Sequence, residues 1–342
     1  LGEMPVPGPI HGQGDGAGPG GPGSSAPATP PLSLPCRSLW RRHHRPEDPD
    51  RFLQALRDEA RRRRAQGAEA LEFHADACVL DPRYAVPAPW AEAAAILAAE
   101  GLAATVHLPY AWPDLTALDA AVWEGSVTSV VTALRATAPL RPQLAAVHPA
   151  NHATQALVQA TPAADRPALL DRLAARLVAA LRRILAEAPP EGAGAVALEN
   201  LEGVPWPLFE AVCREAGVAV CLDVGHAISN GDDPLVLCAR VGPRLRGVHL
   251  HDAVPPPVPA RAAPPMAVQP GPPTAGRTPP EPGAGAGRLG RAHLPLGAGH
   301  LPLRALVAVL RGAGFRGPVV LELDDEEALQ ASAARWREAA SS

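Results

Sequence analysis

Four short apolar runs in the chain each end in, or close to, side chains that can bind a metal ion. The runs are AVALEN (195–200), VAVCLDVGH (218–226), RGVHLHD (246–252) and PVVLELD (318–324), and they carry Glu199, Asp223, His249 and Glu322. Continuous apolar runs of this length are typical of strands that are buried on both faces. Burial of a charge is unfavourable unless the charge is paired or binds a metal. Three carboxylates and one imidazole therefore predict a shared divalent ion such as Mn²⁺, Zn²⁺, Co²⁺ or Mg²⁺.

Further histidines extend this pattern to other predicted strand ends. They are His107, His148, His226 and His293. Repeated placement of imidazoles at strand ends favours additional metal ligands over isolated core histidines. His251 lies two residues after His249, on the same face of its strand, and we expect it to contact substrate or to support the ligands. Asn200 is also predicted to bind substrate. Asp252 is expected to orient His249 from behind.

The elements that must position these residues alternate between helix and strand from residue 50 onward. Strand-like stretches at 70–77, 102–110 and 143–151 precede the four apolar runs, and helix-like stretches separate them. This alternation predicts a parallel (β/α)8 TIM barrel, whose chemistry lies at the carboxyl ends of the strands. The remaining strand must come from 32–40, where Pro35 is unfavourable in a central strand. We therefore expect the first strand to be degenerate or missing, or the natural amino terminus to lie elsewhere.

Two segments rich in proline and glycine lack the periodicity of folded elements. Residues 1–35 are predicted to be a disordered leader, and residues 253–291 a low-complexity insertion in the loop after the seventh strand. The remaining span, 36–342, is predicted to be a single catalytic TIM-barrel domain that contains this insertion.

Composition excludes several broad classes of function. The net charge of −4 does not favour general nucleic-acid binding, and the chain lacks a phosphate-binding loop and a dinucleotide-binding GxGxxG motif. No apolar run is long enough to span a membrane, and no signal peptide is visible. Five cysteines without paired spacing predict reduced thiols and a cytoplasmic location.

With these motifs in order, residues 50–340 resemble the xylose isomerase-like TIM barrels, the superfamily of apurinic endonuclease family 2 and the sugar phosphate isomerases and epimerases. The matching motifs are HLPY, HP, LEN, LDVGH, VHLHD, HLPLGAG and LELD. The resemblance implies that the first four residues named above form the family's metal quartet. It also implies that the four strand-end histidines match the extra ligands of its phosphodiester-cleaving members.

One position departs from the pattern of those multinuclear members. They have an aspartate two residues before the last histidine, where this chain has Arg291. Two metal ions are therefore expected, within a range of one to three, with Zn, Mn or Co as the metal. ENLEG, CLDVGH, HLHD and GFRGPVVLELDDEEAL are also similar to the cobamide-remodelling phosphodiesterases of this superfamily.

Three functions remain open from the sequence. The histidine count favours hydrolysis of a phosphodiester by metal-activated water, with the nucleotide loop of a corrinoid as one substrate. The alternative is isomerisation or epimerisation of a sugar or sugar phosphate, with one metal and with Glu199 and Glu322 as the acid–base pair. The third is a barrel that binds a metal or ligand without catalysis.

Overall fold

The computed structural model describes residues 29–41, 45–257 and 291–342. Eight parallel strands in these residues form a closed barrel. They are β1 Leu32–Pro35, β2 Ala70–His74, β3 Ala103–His107, β4 Ala145–Val147, β5 Val196–Glu199, β6 Ala219–Asp223, β7 Leu245–Leu250 and β8 Val319–Leu321. Each strand pairs with its neighbours in the chain, and β1 pairs with both β2 and β8, which closes the ring. The predicted (β/α)8 barrel is confirmed.

Helices connect the strands around the outside. In chain order they are α1 Pro49–Ala65, α2 Ala77–Leu80, α3 Pro87–Ala99, α4 Ala120–Thr137, α5 His152–Ala160, α6 Arg166–Glu187, α7 Pro190–Ala193, α8 Trp206–Ala216, α9 Val224–Asn230, α10 Pro234–Val241, α11 Leu303–Gly312 and α12 Glu326–Ser341. Short 3-10 turns occupy Pro82–Tyr84, Ala138–Leu140 and Gly242–Arg244. Asp48 caps α1 by accepting the N–H of Asp50, and a proline begins the helix, which is the usual chemistry of a helix start.

The first strand is regular, so the expectation that it would be degenerate or missing is wrong. Leu32 and Ser33 pair with β8, and Ser33 to Pro35 pair with β2. Pro35 is tolerated because it is the last residue of the strand, and the following N–H, that of Cys36, donates to the carbonyl of Glu72 at 2.8 Å. The barrel therefore begins inside the segment predicted to be the leader, at residue 32 and not at 36.

Two packed regions hold the barrel together. Between barrel and helices, the rings of Phe52, Phe73, Tyr84 and Trp90 contact one another with centroids 5.6–6.5 Å apart. Inside the barrel, a smaller cluster fills the space beneath the mouth. Its members are Leu144, Ala146, Ala197, Cys221 and Val320. The interior is thus a packed floor that supports side chains at the carboxyl ends of the strands.

A two-stranded antiparallel ribbon rises from the loop after β7. It pairs Asp252–Val254 with Arg291–Leu294. We call this pair the ribbon. The predicted insertion is therefore ordered at its two edges, whereas residues 258–290, like residues 1–28 of the predicted leader, lie outside the described residues. Among the described helices, none is both long and apolar enough to cross a membrane.

Candidate metal centre

The carboxyl ends of the barrel strands bring ionisable side chains into one buried cluster. Glu199 and Asp223 are the last residues of β5 and β6, His249 lies one residue before the end of β7, and Glu322 directly follows β8. Paired register places Asp223 beside His249 on adjacent strands. Glu199, Asp223 and His249 are fully buried. The predicted convergence of these four residues at the mouth is thus present in the structure.

Glu199 is at the centre of this cluster. Its Oε2 lies 3.4 Å from Nε2 of His107, 3.3 Å from Nε2 of His148 and 3.2 Å from Nδ1 of His249. The same Nδ1 of His249 lies 2.8 Å from Oε1 of Glu322. Donor atoms of His107, Glu199, His249 and Glu322 all lie within 4.8 Å of one another, a separation that one ion can bridge.

Asp223 extends the cluster toward β6 and α9. It forms one group of potential ligands with Glu199 and His226, and another with His251 and Glu322. Its Oδ1 accepts the backbone N–H of His226 at 2.6 Å, because Asp223 also caps the start of α9. One oxygen of Asp223 is therefore fixed by the turn that the LDVGH motif forms.

Unsatisfied polar atoms support a cation at this position. Both oxygens of Glu199, both ring nitrogens of His249 and Oε1 of Glu72 are buried. Despite the short distances among these groups, none of the five atoms forms a hydrogen bond of acceptable geometry within the described part of the chain. Buried polar groups normally have partners, so five unpartnered atoms in one cluster require an explanation. Carboxylate oxygens and imidazole nitrogens are suitable ligands for a divalent transition metal, and the residues present fit such an ion.

The protonation states reflect this mixture of charges. Burial disfavours the carboxylate of Glu199, but His249 and His148 outweigh burial and hold its pKa well below the usual range. Burial also disfavours the carboxylate of Glu322, but His249 outweighs burial and lowers the pKa of Glu322. Burial lowers the pKa of His107, but Glu199 outweighs it and raises that pKa to about 9. Without a metal, the site therefore holds a proton on His107.

Sequence reasoning missed two residues of β2, Glu72 and His74. Glu72 is buried beneath the mouth, and its Oε1 lies 3.7 Å from Nε2 of His249. Burial raises the pKa of Glu72 to about 7 and lowers that of His74 to about 3. A charged residue inside a strand with apolar neighbours, as in ALEFH, was the available signal, the same one that identified Glu199.

Two expected roles differ in the structure. Asn200 is buried, and its amide donates to the backbone O of Asp223 at 2.9 Å while its oxygen accepts the N–H of Asp223 at 2.8 Å. Both polar groups are thus used to join β5 to β6, which argues against the predicted substrate contact. Asp252 accepts N–H groups of Gly297 and Leu301 at 2.7 and 2.8 Å, so it holds the following loop and does not orient His249.

The remaining histidines form a second group beside the ribbon. Donor atoms of His226, His251 and His293 lie within 4.8 Å of one another. His226 approaches Asn200 O at 3.0 Å through Nδ1 and Glu202 Oε2 at 3.5 Å through Nε2. His293 is exposed, with a left-handed φ of 54°, and Arg291 at the start of its strand is also exposed. All eight predicted ligand residues thus lie in two adjoining groups at one mouth.

The loop after β3 forms an aromatic wall at this mouth. The ring of Tyr110 packs against His107 and His148, with centroids 4.7 and 5.1 Å apart. Asp76 fixes the loop by accepting the N–H groups of Tyr110 and Ala111, each at 3.2 Å. Trp112 in the same loop is 52% exposed. An apolar ring beside buried charges is typical of a small-molecule site.

Solved structures with the same architecture include sugar epimerases. A xylose isomerase domain protein from Planctomyces limnophilus has 15% identity and a TM-score of 0.60, covering 91% of this chain and 95% of its own. D-Psicose 3-epimerase with D-tagatose from Clostridium cellulolyticum H10 has 16% identity and a TM-score of 0.60, covering 91% and 98%. 3-Keto-D-glucoside 4-epimerase from E. coli has the same identity and TM-score, covering 91% and 99%. At these identities the likeness shows the fold alone.

Sequence comparison gives the family. No curated protein matches the chain at a significant level. The model of the xylose isomerase-like TIM barrel family matches residues 60–341, which is most of the sequence. Nothing in these matches supports the narrower likeness to cobamide-remodelling phosphodiesterases. Fold, strand-end residues and family match agree, and the chain belongs to the xylose isomerase-like TIM barrel family.

Proposed function

We propose that this barrel is a divalent-metal-dependent isomerase or epimerase of a sugar or sugar phosphate. The observation that carries the proposal is the placement of two carboxylates around His249. Glu199 from β5 and Glu322 after β8 approach the same Nδ1 at 3.2 and 2.8 Å from different sides of the barrel. Sugar epimerases among the structures that share this fold support this choice over hydrolysis.

The metal would be held by Glu199, Asp223, His249 and Glu322. When bound, a divalent ion polarises a substrate carbonyl and so acidifies the neighbouring C–H. The protein residues must then remove and return a proton. The lowered pKa values of Glu199 and Glu322 keep both ionised at neutral pH, as a general base requires. One carboxylate takes the proton from the carbon beside the carbonyl. The other carboxylate is ionised in the resting site, so it must first take up a proton from solvent before it can deliver one to the substrate.

Other residues would bind the sugar and limit access of water. His226 is buried beside Glu202 and points its Nε2 toward that carboxylate, which suits hydrogen bonding to hydroxyl groups. Tyr110 and Trp112 supply the aromatic surface on which the apolar face of a sugar ring can pack.

The test is product formation by the full chain loaded with Mn²⁺, Co²⁺ or Zn²⁺. Ketopentoses, ketohexoses and their phosphates are incubated with it and followed by NMR. We expect metal-dependent conversion of at least one sugar to its epimer or isomer, lost in both Glu199→Gln and Glu322→Gln. Absence of conversion across this panel by metal-loaded protein would count against the proposal.

Phosphodiester hydrolysis remains a second candidate because of one observation. His107 and His148 both approach Oε2 of Glu199, at 3.4 and 3.3 Å, and sugar chemistry with one ion does not need them. Measurement of bound metal separates the two functions. One ion per chain supports the isomerase, whereas two ions, together with cleavage of bis(4-nitrophenyl) phosphate that requires His148, would support the hydrolase.

A further inference from the structure

His251 is engaged at both ring nitrogens, although it lies in a group of three histidines. Its Nε2 is 3.0 Å from Oδ2 of Asp223. Its Nδ1 accepts the backbone N–H of His293 at 2.9 Å. The side chain is fully buried. His251 thus connects a carboxylate of the proposed metal centre to the backbone of the ribbon.

These contacts select one tautomer of the ring. The hydrogen of a backbone amide has a fixed direction, so Nδ1 must present a lone pair to His293. The ring proton is then on Nε2 and is donated to Asp223. A second proton on Nδ1 would point to the carbonyl of Asp252, 3.2 Å away, and would leave the N–H of His293 without its acceptor. The charge of Asp223 favours that second proton, and a cation bound to Asp223 would offset this charge.

The shape of the turn after β6 provides an independent observation. A Cβ on Gly225 would lie 1.9 Å from Cε1 and 2.0 Å from Nδ1 of His251. Only glycine therefore allows the ring to sit against this turn. The ring of His293 stacks on that of His251, with centroids 4.1 Å apart and planes at 21°. Two separate segments of the chain, the turn at Gly225 and the ribbon at His293, thus hold the His251 ring in place.

We propose that His251 is a positioning residue whose two hydrogen bonds, to Asp223 and to the backbone of His293, hold the ribbon against Asp223. We call these two hydrogen bonds the clasp. Asp223 has its Oδ1 held by the N–H of His226 and its Oδ2 held by His251, which fixes the direction of its remaining lone pairs. The position of the ribbon and the orientation of Asp223 are therefore coupled through His251. The inference rests on the proposed metal site but not on the identity of the substrate.

The first measurement is ¹⁵N NMR of the histidines in the full chain loaded with Zn²⁺, a diamagnetic ion. We expect His251, assigned from the signals missing in His251→Gln, to have one pyrrole-type and one pyridine-type nitrogen. His293→Gly keeps the backbone N–H and should leave this signature in place. Two pyrrole-type nitrogens, or loss of the signature in His293→Gly, would overturn the clasp.

The second measurement is Zn²⁺ affinity from competition with a chelator. His251→Leu should bind Zn²⁺ about 10- to 100-fold more weakly. His251→Gln, which keeps an N–H donor for Asp223, should lose less. Gly225→Ala should also weaken binding, because it displaces the ring without touching its donor. The matched control is Gly125→Ala in α4, where a new Cβ meets nothing within 4 Å.

Two outcomes separate the clasp from the proposed function. Equal Zn²⁺ affinity in wild type, Gly225→Ala and His251→Leu would overturn the clasp while leaving the metal site intact. If the wild-type chain binds no divalent ion, the proposed function fails. The clasp is then decided in the metal-free chain by hydrogen exchange of the ribbon amides, which should speed up in Gly225→Ala and His251→Leu but not in Gly125→Ala. Equal exchange in all these variants would overturn the clasp.

Discussion

Oε1 of Glu72 and Nε2 of His249 face each other at 3.7 Å in the floor of the barrel mouth. Both atoms are buried, and neither has a hydrogen-bond partner within the described residues. A metal on Nδ1 of His249 requires the ring proton to be on Nε2, where Glu72 is the carboxylate in position to accept it. Metal-binding histidines usually have such a partner.

Glu72→Leu should therefore weaken metal binding about 10- to 100-fold, because the proton on Nε2 of His249 loses its acceptor. Glu72→Gln keeps an accepting oxygen and should retain more of the affinity. Thr105→Val is the matched control, since it removes a buried hydrogen bond to Ser33 at the position paired with Glu72 and leaves the Glu72 carboxylate in place. Calorimetric titration with Zn²⁺ measures all three. Equal affinities in Glu72→Leu and Thr105→Val would contradict this role.

Glu199→Gln should abolish stabilisation of the protein by metal, because Glu199 is central to the cluster. A ligand at 100 times its Kd stabilises the folded state by about 2.7 kcal/mol, which is measurable as a rise in Tm. The rise should be present in wild type and in Glu210→Gln, which loses ion pairs with Arg240 and Arg244 on the outer helix α8. A full metal-induced rise in Glu199→Gln would exclude it as a ligand.

Metal binding should release a proton from His107 near pH 7. The pKa of His107 is about 9 in the metal-free protein, above its ordinary value of 6.5. The positive charge of His107 therefore contributes its full stabilisation of the metal-free fold below pH 6.5. This contribution is lost as the pH rises through 9. Titrations in buffers with different ionisation enthalpies should show about one proton fewer released in His107→Asn. His148→Asn should change the number of released protons less than His107→Asn does, because burial lowers the pKa of His148 and so disfavours its charged form. Equal release in wild type and His107→Asn would contradict the assignment.

A charged contact between α1 and α12 should give a separate pH dependence. Hydrogen bonds from Arg63 lower the pKa of Glu326 to about 2, from an ordinary value of 4.5. The contribution to stability is present above pH 4.5 and is lost as the pH falls through 2. Glu326→Gln should thus lower Tm by a few degrees near neutral pH, and the difference should vanish in strong acid. If the Tm difference between wild type and Glu326→Gln is the same at every pH, the charge of Glu326 does not contribute to stability.

The sequence predicted the barrel and the mouth residues because both depend on local patterns. Apolar runs define the strands, and a ligand residue such as Glu199 or Asp223 at the end of a run requires no knowledge of the tertiary fold. The prediction for the first strand is wrong because a proline is unfavourable in the middle of a strand, whereas Pro35 is the last residue of this one. Glu72 was missed although ALEFH offered a signal, because it lies in the middle of its strand and not at the end. Its partner, His249, is distant in sequence and is brought close only by closure of the barrel.

The interactions around the ribbon could not be predicted from the sequence, for a different reason. His293 was predicted to act through its imidazole, yet its backbone N–H makes the hydrogen bond to His251. This contact depends on a left-handed backbone at a histidine, which a residue pattern does not encode. Asn200 and Asp252 were correctly noticed as polar residues at strand ends, but their partners are backbone groups of neighbouring segments.

In the proposed reaction, Glu199 and Glu322 move a proton beside the carbonyl of a metal-bound sugar. Its most direct test is NMR detection of solvent deuterium entering ketoses and ketose phosphates that are incubated in D₂O with the metal-loaded full chain. We predict metal-dependent exchange at the carbon next to the carbonyl, abolished in Glu199→Gln and Glu322→Gln and retained in Glu210→Gln. Absence of exchange in every sugar, with cleavage of a phosphodiester by the same preparation, would show that the barrel is not a sugar isomerase or epimerase.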